Sequence, residues 1–193
     1  MPDPLKLDLA DTTLVCIDIQ QRPRTYWTPR RVKETFREGE AFTLDELNAA
    51  VDHFFEVLLP HAAGVAEFAL RHGLPRVFVH WSSVQGVDQP RPNEIFRLQV
   101  GDYVIAKTQR DAFASSNLAG VLAGLGRRTL LLMGGHTRGC LGDTARTALT
   151  AGYRCVLVRD ATYDVSILRW PLGIAEAPYT AVIDTAELLA AGE

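Results

Sequence analysis

Short apolar runs alternate along this chain with stretches of helical periodicity, and this alternation constrains the fold more than any other feature. The first run, TTLVCIDI, covers residues 12–19, and the most apolar, TLLLM, covers residues 129–133. Between such runs apolar side chains recur every three or four residues, which is typical of helices packed on one side. Strands that alternate with helices form a mostly parallel sheet covered on both faces. We therefore predict one α/β domain over residues 1–193, doubly wound, with a largely parallel six-stranded sheet.

Capping and turn residues mark where the predicted elements begin and end. Thr43 and Glu46 have the spacing of a capping box, so a helix is expected to start there. Pro60 is expected to interrupt this helix and to open the next one, while Gly134 and Gly135 are expected to break the fourth strand. The predicted strands cover residues 12–19, 76–81, 103–107, 129–133, 154–158 and 181–183. The predicted helices start at residue 43, cover 60–73, 117–126 and 140–151, and resume at 185, with a loop at 82–93.

Charge and composition exclude several classes of function. The chain has a formal net charge of −3, with 47% hydrophobic and 22% charged residues, and no basic run that would follow a nucleic-acid backbone or an anionic membrane. Residues 1–10 lack the apolar core of a signal peptide, and no apolar segment approaches the roughly 20 residues that span a bilayer. The three cysteines are too few for a disulfide scaffold and fit a reducing compartment. We predict a cytoplasmic protein that binds a small molecule, and neither nucleic acid nor membrane.

Three residues able to carry chemistry come at, or just beyond, the carboxyl ends of predicted strands. Asp18 lies near the end of the first strand, Lys107 ends the third, and Cys140 follows the glycine-containing loop after the fourth. In doubly wound sheets, ligands bind at this edge of the sheet. The coincidence predicts a site built from Asp18, Lys107 and Cys140.

Cys140 is the strongest candidate nucleophile. It is expected to start a helix, whose N-terminus carries partial positive charge and is expected to lower the thiol pKa. The other two cysteines lie inside predicted strands and are expected to pack as small apolar residues. A thiol needs a base to take its proton, and Asp18 and the loop residue His136 are both candidates, while His80 ends a strand and could line the pocket. Lys107 either joins the thiol and the carboxylate in one charge network or extends its amine to solvent at the surface.

Three separated segments carry a family resemblance. They are LVCIDIQ at residues 14–20, VIAKTQRDAF at 104–113 and LLLMGGHTRGCLGDTARTALTAGYRCVLVRDAT at 130–162. The third is the most specific, because a T-x-x-C loop, a T-A pair on the next helix, a G-Y turn and a closing D-A follow in order. Together the segments resemble the isochorismatase-like cysteine hydrolases over almost the whole chain. The resemblance implies a doubly wound, largely parallel sheet of about six strands, as the periodicity predicts.

The resemblance also implies roles for the candidate residues. Cys140 would attack an amide-type carbonyl, Asp18 would carry the proton to the departing amine, and Lys107 would stabilise the pair. A cis peptide between Gly135 and His136 would turn the backbone N–H groups of His136 and Cys140 toward the oxyanion.

The chain departs from the family pattern at two places. Where the family often continues D-x-Q-x-D-F, this chain has Arg22 and Pro23, and His136 stands where a small or apolar residue is common. Nicotinamidase-like members carry a metal site built from an acid and histidines on the loop after the second strand. Here that loop, residues 82–93, contains Asp88 but no histidine. We therefore predict no metal ion and no cofactor.

The presence of Cys140 favours hydrolysis of a C–N bond, because family members that cleave the vinyl ether of isochorismate lack this cysteine. We predict a small amide, carbamoyl or ureido substrate cleaved through a thioester, with a vinyl ether hydrolase or a nicotinamidase-like enzyme as alternatives. Arginines match a substrate carboxylate with two hydrogen bonds, and aromatic rings wall a pocket. The candidate substrate-binding residues are Arg22, Tyr26, Trp27, Trp81, Arg138 and Tyr163. Family members often assemble, so a homo-oligomer is expected, with residues 22–42 as a lid or an interface.

Two interpretations from other classes compete with a hydrolase. A dinucleotide-binding domain would use the strand-to-helix turn TLLLMGGHTRG, with Asp160 after the next strand as its ribose-binding acid. In that motif the middle glycine is replaced here by His136, whose side chain would obstruct the pyrophosphate. The third possibility is a non-catalytic binding protein that kept the fold. The joint presence of Asp18, Lys107 and Cys140 argues against it.

Overall fold

A parallel sheet with helices on both faces forms the centre of the computed structural model, which describes residues 7–21, 24–26, 28–35, 43–82, 91–137, 139–163 and 179–192. The strands are β1 (Thr12–Ile17), β2 (Arg76–Trp81), β3 (Tyr103–Lys107), β4 (Thr129–Gly135), β5 (Arg154–Tyr163) and β6 (Ala181–Ile183). Their order across the sheet is β3-β2-β1-β4-β5-β6, and each neighbouring pair is parallel. The predicted fold class is confirmed. Strand order reverses direction between β1 and β4, which is where doubly wound sheets bind their ligands.

The helices divide between the two faces because strand side chains alternate in direction. The described helices are α1 (Pro29–Thr35), α2 (Leu44–His53), α3 (Leu59–Arg71), α4 (Ala112–Ser115), α5 (Leu118–Leu125), α6 (Cys140–Thr150) and α7 (Thr185–Ala190). In β1, Leu14 and Cys16 belong to the core shared with α3 and α7, whereas Val15 and Ile17 belong to the core shared with α5 and α6. Burial of both faces explains why the central strands β1 and β4 are continuously apolar in sequence.

The sequence predicted that Pro60 would interrupt the helix, but the helix continues past it. Helix α2 continues through one π-helical turn, Phe54–Leu58, directly into α3, and Leu59 donates its N–H to the carbonyl of Phe54. Proline lacks an N–H, and its ring displaces the carbonyl four residues earlier. The wider π turn accommodates both effects without ending the helix.

Two strands extend further than their apolar runs predicted. Strand β4 includes Gly134 and Gly135, which were expected to break it, and β5 continues to Tyr163 after a register shift against β4. Gly134 can remain in the ladder because its backbone adopts φ +108°, a conformation that glycine allows. The extension brings Tyr163 beside Gly135, at the carboxyl edge of the sheet. Among the described residues, no helix combines the length and the apolar character that crossing a bilayer requires.

The buried thiols of the sheet give the fold a predictable sensitivity to alkaline pH. Burial raises the pKa of Cys155 in β5 to about 12, and burial also raises the pKa of Cys16 in β1. In an unfolded chain both thiols ionise near pH 8.5, so above that pH the unfolded state loses protons that the folded state keeps. We expect the free energy of unfolding to fall by about 1.4 kcal/mol per pH unit for each thiol, from about pH 8.5 toward the folded-state pKa values.

Urea unfolding at a series of pH values between neutrality and mild alkali checks this expectation, with a Cys155→Ala variant as the matched comparison. The difference in unfolding free energy between the two proteins should stay constant up to about pH 8.5 and then shrink by about 1.4 kcal/mol per pH unit, because the variant lacks one titrating thiol. A difference that stays constant with pH would contradict it.

Candidate active site

The three residues singled out from the sequence meet at the carboxyl edge of the sheet. Asp18 follows β1, Lys107 is the last residue of β3, and Cys140 is the first residue of α6, which follows β4. The thiol of Cys140 interacts with both the Asp18 carboxylate and the Lys107 ammonium, which act on its pKa in opposite directions. The group therefore sits at the switch in strand order between β1 and β4.

Lys107 and Asp18 form a buried ion pair. Their closest atoms, Nζ of Lys107 and Oδ2 of Asp18, are 2.9 Å apart, and the exposed fractions of the two side chains are 0% and 11%. The ammonium also donates to the carbonyl of Gln109 at 3.3 Å and lies 4.3 Å from the ring centre of Trp81. A buried charge is tolerated only when it is paired in this way. Of the two possibilities for Lys107 that the sequence left open, the surface lysine is wrong.

The pKa of the Cys140 thiol is raised, opposite to the direction expected from its place at a helix N-terminus. Burial is the largest cause and the negative charge of Asp18 is the second, while the ammonium of Lys107 opposes them. At neutral pH the resting thiol is therefore protonated and lies beside a carboxylate. This pairing fits a mechanism in which the thiol loses its proton during the reaction and not before it.

The backbone of Asp18 has a conformation that few side chains adopt. Its φ is +56°, in the left-handed region that asparagine and aspartate enter more readily than other non-glycine residues. Its N–H donates to the carbonyl of Val79 in β2 at 2.9 Å, and its carbonyl accepts from the hydroxyl of Tyr163 in β5 at 3.1 Å. This turn ends β1 two residues before the run of residues 12–19 predicted.

The loop between β4 and α6 folds back over the start of the helix. The peptide bond between Gly135 and His136 is cis, as the resemblance implied. The carbonyl of His136 accepts hydrogen bonds from the N–H groups of Gly139 at 2.9 Å and Leu141 at 3.1 Å. Gly139 occupies the N-cap position of α6 and contributes no side-chain cap, so the His136 carbonyl takes the place of a capping side chain for the N–H of Leu141.

Two threonines on α6 connect the Cys140 helix to the segment that follows Lys107. The hydroxyl of Thr144 donates to the carbonyl of Cys140 at 2.7 Å and accepts from the N–H of Ala112 at 3.1 Å. One turn later, the hydroxyl of Thr147 donates to Oδ2 of Asp111 at 2.7 Å. In the sequence, Thr144 stands out only as part of the T-A pair. Both partners of its hydroxyl are main-chain groups, so no side-chain pattern in the sequence indicates this role.

Gln20 is a second residue whose role was not predicted. Its side-chain amide accepts from the N–H of Trp81 at 3.0 Å and donates to the carbonyl of Trp81 at 3.2 Å, as a neighbouring strand would. These two hydrogen bonds join the segment after β1 to the end of β2. They fix Trp81 where its ring covers the Lys107 ammonium. The D-x-Q pattern contained the signal, but the partner lies 61 residues away in sequence.

The remaining candidate residues fall in different places. Trp81 lies at the site and is 38% exposed, whereas Tyr163 is buried against His136. Tyr26 is at the surface, where its hydroxyl donates to Asp52 of α2 and accepts from Arg24, so the structure does not bring that hydroxyl to Cys140. Arg22, Trp27 and Arg138 lie outside the described residues.

His80 lies beside the ion pair at the end of β2. It is buried, and its pKa is lowered mainly by this burial; the charge of Asp18 raises that pKa and the charge of Lys107 lowers it. The imidazole is therefore neutral at physiological pH. A neutral ring here adds no further charge to the Asp18–Lys107 pair.

Comparison with known proteins relates most of the chain to one family. The sequence profile of the isochorismatase domain matches residues 12–187. The chain is 41% identical over 66 residues to streptothricin hydrolase of Streptomyces noursei, covering 33% of this chain and 24% of that protein. It is 35% identical over 66 residues to maleamate amidohydrolase of Pseudomonas putida, covering 34% of this chain and 31% of that protein. The matches thus span about a quarter to a third of the length of these relatives.

A solved structure matches over nearly its full length. The chain resembles N-carbamoylsarcosine amidase from Thermoplasma acidophilum with a TM-score of 0.65 and 25% identity, covering 91% of this chain and 96% of that one. The sheet and its helices are therefore shared along almost the whole of both chains.

Proposed function

This chain belongs to the isochorismatase family, and we propose that it is a cysteine-dependent hydrolase of carbon–nitrogen bonds in small amide, carbamoyl or ureido substrates. One observation carries the proposal. A thiol at the start of α6 interacts with a carboxylate and an ammonium that form a buried ion pair. This arrangement supplies a nucleophile, a proton acceptor and a fixed positive charge at one point.

In the first half of the proposed reaction, Asp18 takes the proton of the Cys140 thiol as the sulfur attacks the substrate carbonyl carbon. The tetrahedral intermediate carries a negative oxygen, for which we propose the backbone N–H groups of His136 and Cys140 as donors. When the intermediate collapses, the C–N bond breaks and Asp18 returns the proton to the leaving nitrogen. Ammonia or an amine departs and a thioester on Cys140 remains.

In the second half, Asp18 takes a proton from water as the water oxygen attacks the thioester carbonyl. The new tetrahedral intermediate expels the sulfur, which regains its proton from Asp18. The sum is one amide and one water converted into one acid and one amine. Throughout, the charge of Lys107 stabilises the carboxylate and the sulfur when either is negative.

The other assignments from the sequence stay proposals. Trp81 is proposed as a wall of the substrate pocket because its ring is partly exposed over Lys107. Arg22, Trp27 and Arg138 stay predictions for substrate binding. A cytoplasmic location and a homo-oligomeric assembly also stay predictions of the sequence.

Replacing the proposed nucleophile tests the function directly. Purified protein is incubated with a panel of primary amides, carbamoyl amino acids and ureido acids, and the ammonia released is quantified. We expect release from at least one compound, and we expect Cys140→Ala to reduce it by at least about a thousandfold because the covalent step is lost. Cys155→Ala, which removes a buried thiol from β5, serves as the control that keeps its activity.

Two results would contradict the proposal. Ammonia release that survives in Cys140→Ala would mean that another group is the nucleophile. Absence of release from every compound, with folding confirmed by circular dichroism, would reject the proposed substrate classes.

A further inference from the structure

Tyr163 makes a contact that reaches across the sheet to Asp18. It is the last residue of β5, and its hydroxyl donates to the main-chain carbonyl of Asp18 at 3.1 Å, although the two residues are 145 positions apart in sequence. Strand β4 lies between β5 and β1, so the side chain has to cross it. It does so over Gly135, where a Cβ atom would lie 2.4 Å from the tyrosine ring.

The ring of Tyr163 is held on several sides and exposes little surface. Its edge-to-face contacts are with His136, at 4.7 Å between ring centres, and with Phe54 of the π turn, at 5.4 Å. The residue is 8% exposed. Little of the ring surface is accessible to a substrate. The surrounding contacts instead fix the position of the hydroxyl.

We propose that Tyr163 is a positioning residue, whose hydroxyl holds the main chain of Asp18 in the left-handed conformation that directs its carboxylate to Lys107 and Cys140. The left-handed conformation of a non-glycine residue is unfavourable and persists where surrounding contacts impose it. Here those contacts are the hydrogen bond from the Asp18 N–H to Val79 and the one from Tyr163 to the Asp18 carbonyl. Without the hydroxyl, only the Val79 hydrogen bond of these two main-chain contacts remains.

The proposal rests on the proposed function in one respect, namely that the Asp18 carboxylate acts on the Cys140 thiol. The pKa of that thiol is raised partly by Asp18, so its reactivity reports where the carboxylate lies without any substrate. Other titratable groups in this environment are Lys107 at the end of β3, His80 at the end of β2, Cys16 within β1 and His136 in the loop before α6. None of these is altered in the variants below.

The pH dependence of Cys140 alkylation by iodoacetamide, followed by mass spectrometry of the Cys140 peptide, provides the test. Asp18→Asn removes the negative charge, so its alkylation midpoint should move to lower pH. Tyr163→Phe should move the midpoint in the same direction by about half a unit, which raises the rate at pH 8 about threefold. Tyr103→Phe, at an exposed position of β3, should leave the profile unchanged.

The double variant Asp18→Asn/Tyr163→Phe separates positioning from a general loss of structure. If Tyr163 acts through the charge of Asp18, removing its hydroxyl has no further effect once that charge is gone. A shift by Tyr163→Phe that persists in the double variant would overturn the proposal, as would a Tyr163→Phe profile that superimposes on the unmodified protein. With a substrate from the ammonia panel, we expect Tyr163→Phe to lower kcat about tenfold at unchanged KM.

The outcomes also distinguish this inference from the proposed function. An unshifted Asp18→Asn profile would overturn the coupling between Asp18 and Cys140, and the positioning role with it. A shifted Asp18→Asn profile combined with an unshifted Tyr163→Phe profile would overturn the positioning role alone. Failure to find an ammonia-releasing substrate would contradict the proposed substrate classes and leave the alkylation result to decide on Tyr163.

Discussion

Replacing Lys107 by methionine should lower the free energy of unfolding by about 3–5 kcal/mol and abolish turnover. The substitution keeps most of the length of the side chain but leaves the Asp18 carboxylate buried without its ammonium partner. Removal of one member of a buried ion pair costs this much because the remaining charge is neither solvated nor paired. Urea unfolding gives the loss of stability, and ammonia release gives the loss of activity.

Two comparison variants make the Lys107 prediction specific. Lys33→Met removes an exposed lysine from α1 and should change the unfolding free energy by no more than about 0.5 kcal/mol. Asp18→Asn/Lys107→Met removes both charges and should recover most of the lost stability while turnover stays absent. A Lys107→Met protein as stable as the original would show that the pair is solvated, and a fully active one would remove Lys107 from the mechanism.

Replacing Gly134 by alanine should cost at least about 4 kcal/mol of unfolding free energy, enough to prevent folding of a marginally stable domain. A Cβ atom at this position would lie 2.0 Å from the carbonyl oxygen of Ile17 in the neighbouring strand. Both atoms belong to backbones fixed in the centre of the sheet, so neither can move away. The φ of +108° adds a second cost, since alanine avoids that region.

Two other glycines separate these costs. Gly152 has a φ of +89° but open space around it. Alanine there should lower the free energy of unfolding by about 1 kcal/mol, through the unfavourable backbone conformation alone. Gly124 lies inside α5 with open space, and alanine there should stabilise the protein by about 0.5–1 kcal/mol. Thermal unfolding of the three variants should follow this order. A Gly134→Ala protein no less stable than Gly152→Ala would contradict the close approach of β1 and β4.

The fold was predictable because its signals are local. Each strand is a short apolar run and each long helix repeats every three or four residues, so their alternation specifies the sheet without any knowledge of distant contacts. The boundaries were less predictable where a local rule met a tertiary constraint. A proline normally ends a helix, but at Pro60 the preceding π turn lets the helix continue. A glycine normally weakens a strand, but Gly134 allows β1 and β4 to approach each other closely.

The site was predictable to the extent that the ends of parallel strands converge. This rule predicts that Asp18, Lys107 and Cys140 lie together. It could not indicate whether Lys107 is buried, nor that burial and Asp18 outweigh the helix N-terminus in setting the thiol pKa. The roles of Gln20 and Tyr163 depend on partners 61 and 145 residues away, which no local pattern encodes.

Lys107 lies on a strand at the edge of the sheet, which makes its ion pair with Asp18 sensitive to local opening of that strand. Strand β3 is at the edge, and within the described residues it pairs only with β2; its burial pattern leaves Lys107 as its one buried residue. Edge strands open locally at a lower free energy than a central strand such as β1. We therefore expect transient detachment of β3 to withdraw the ammonium while the rest of the sheet stays folded. The fraction of molecules with an intact ion pair is therefore governed by this local opening, and hydrogen exchange at the β3 amides measures it.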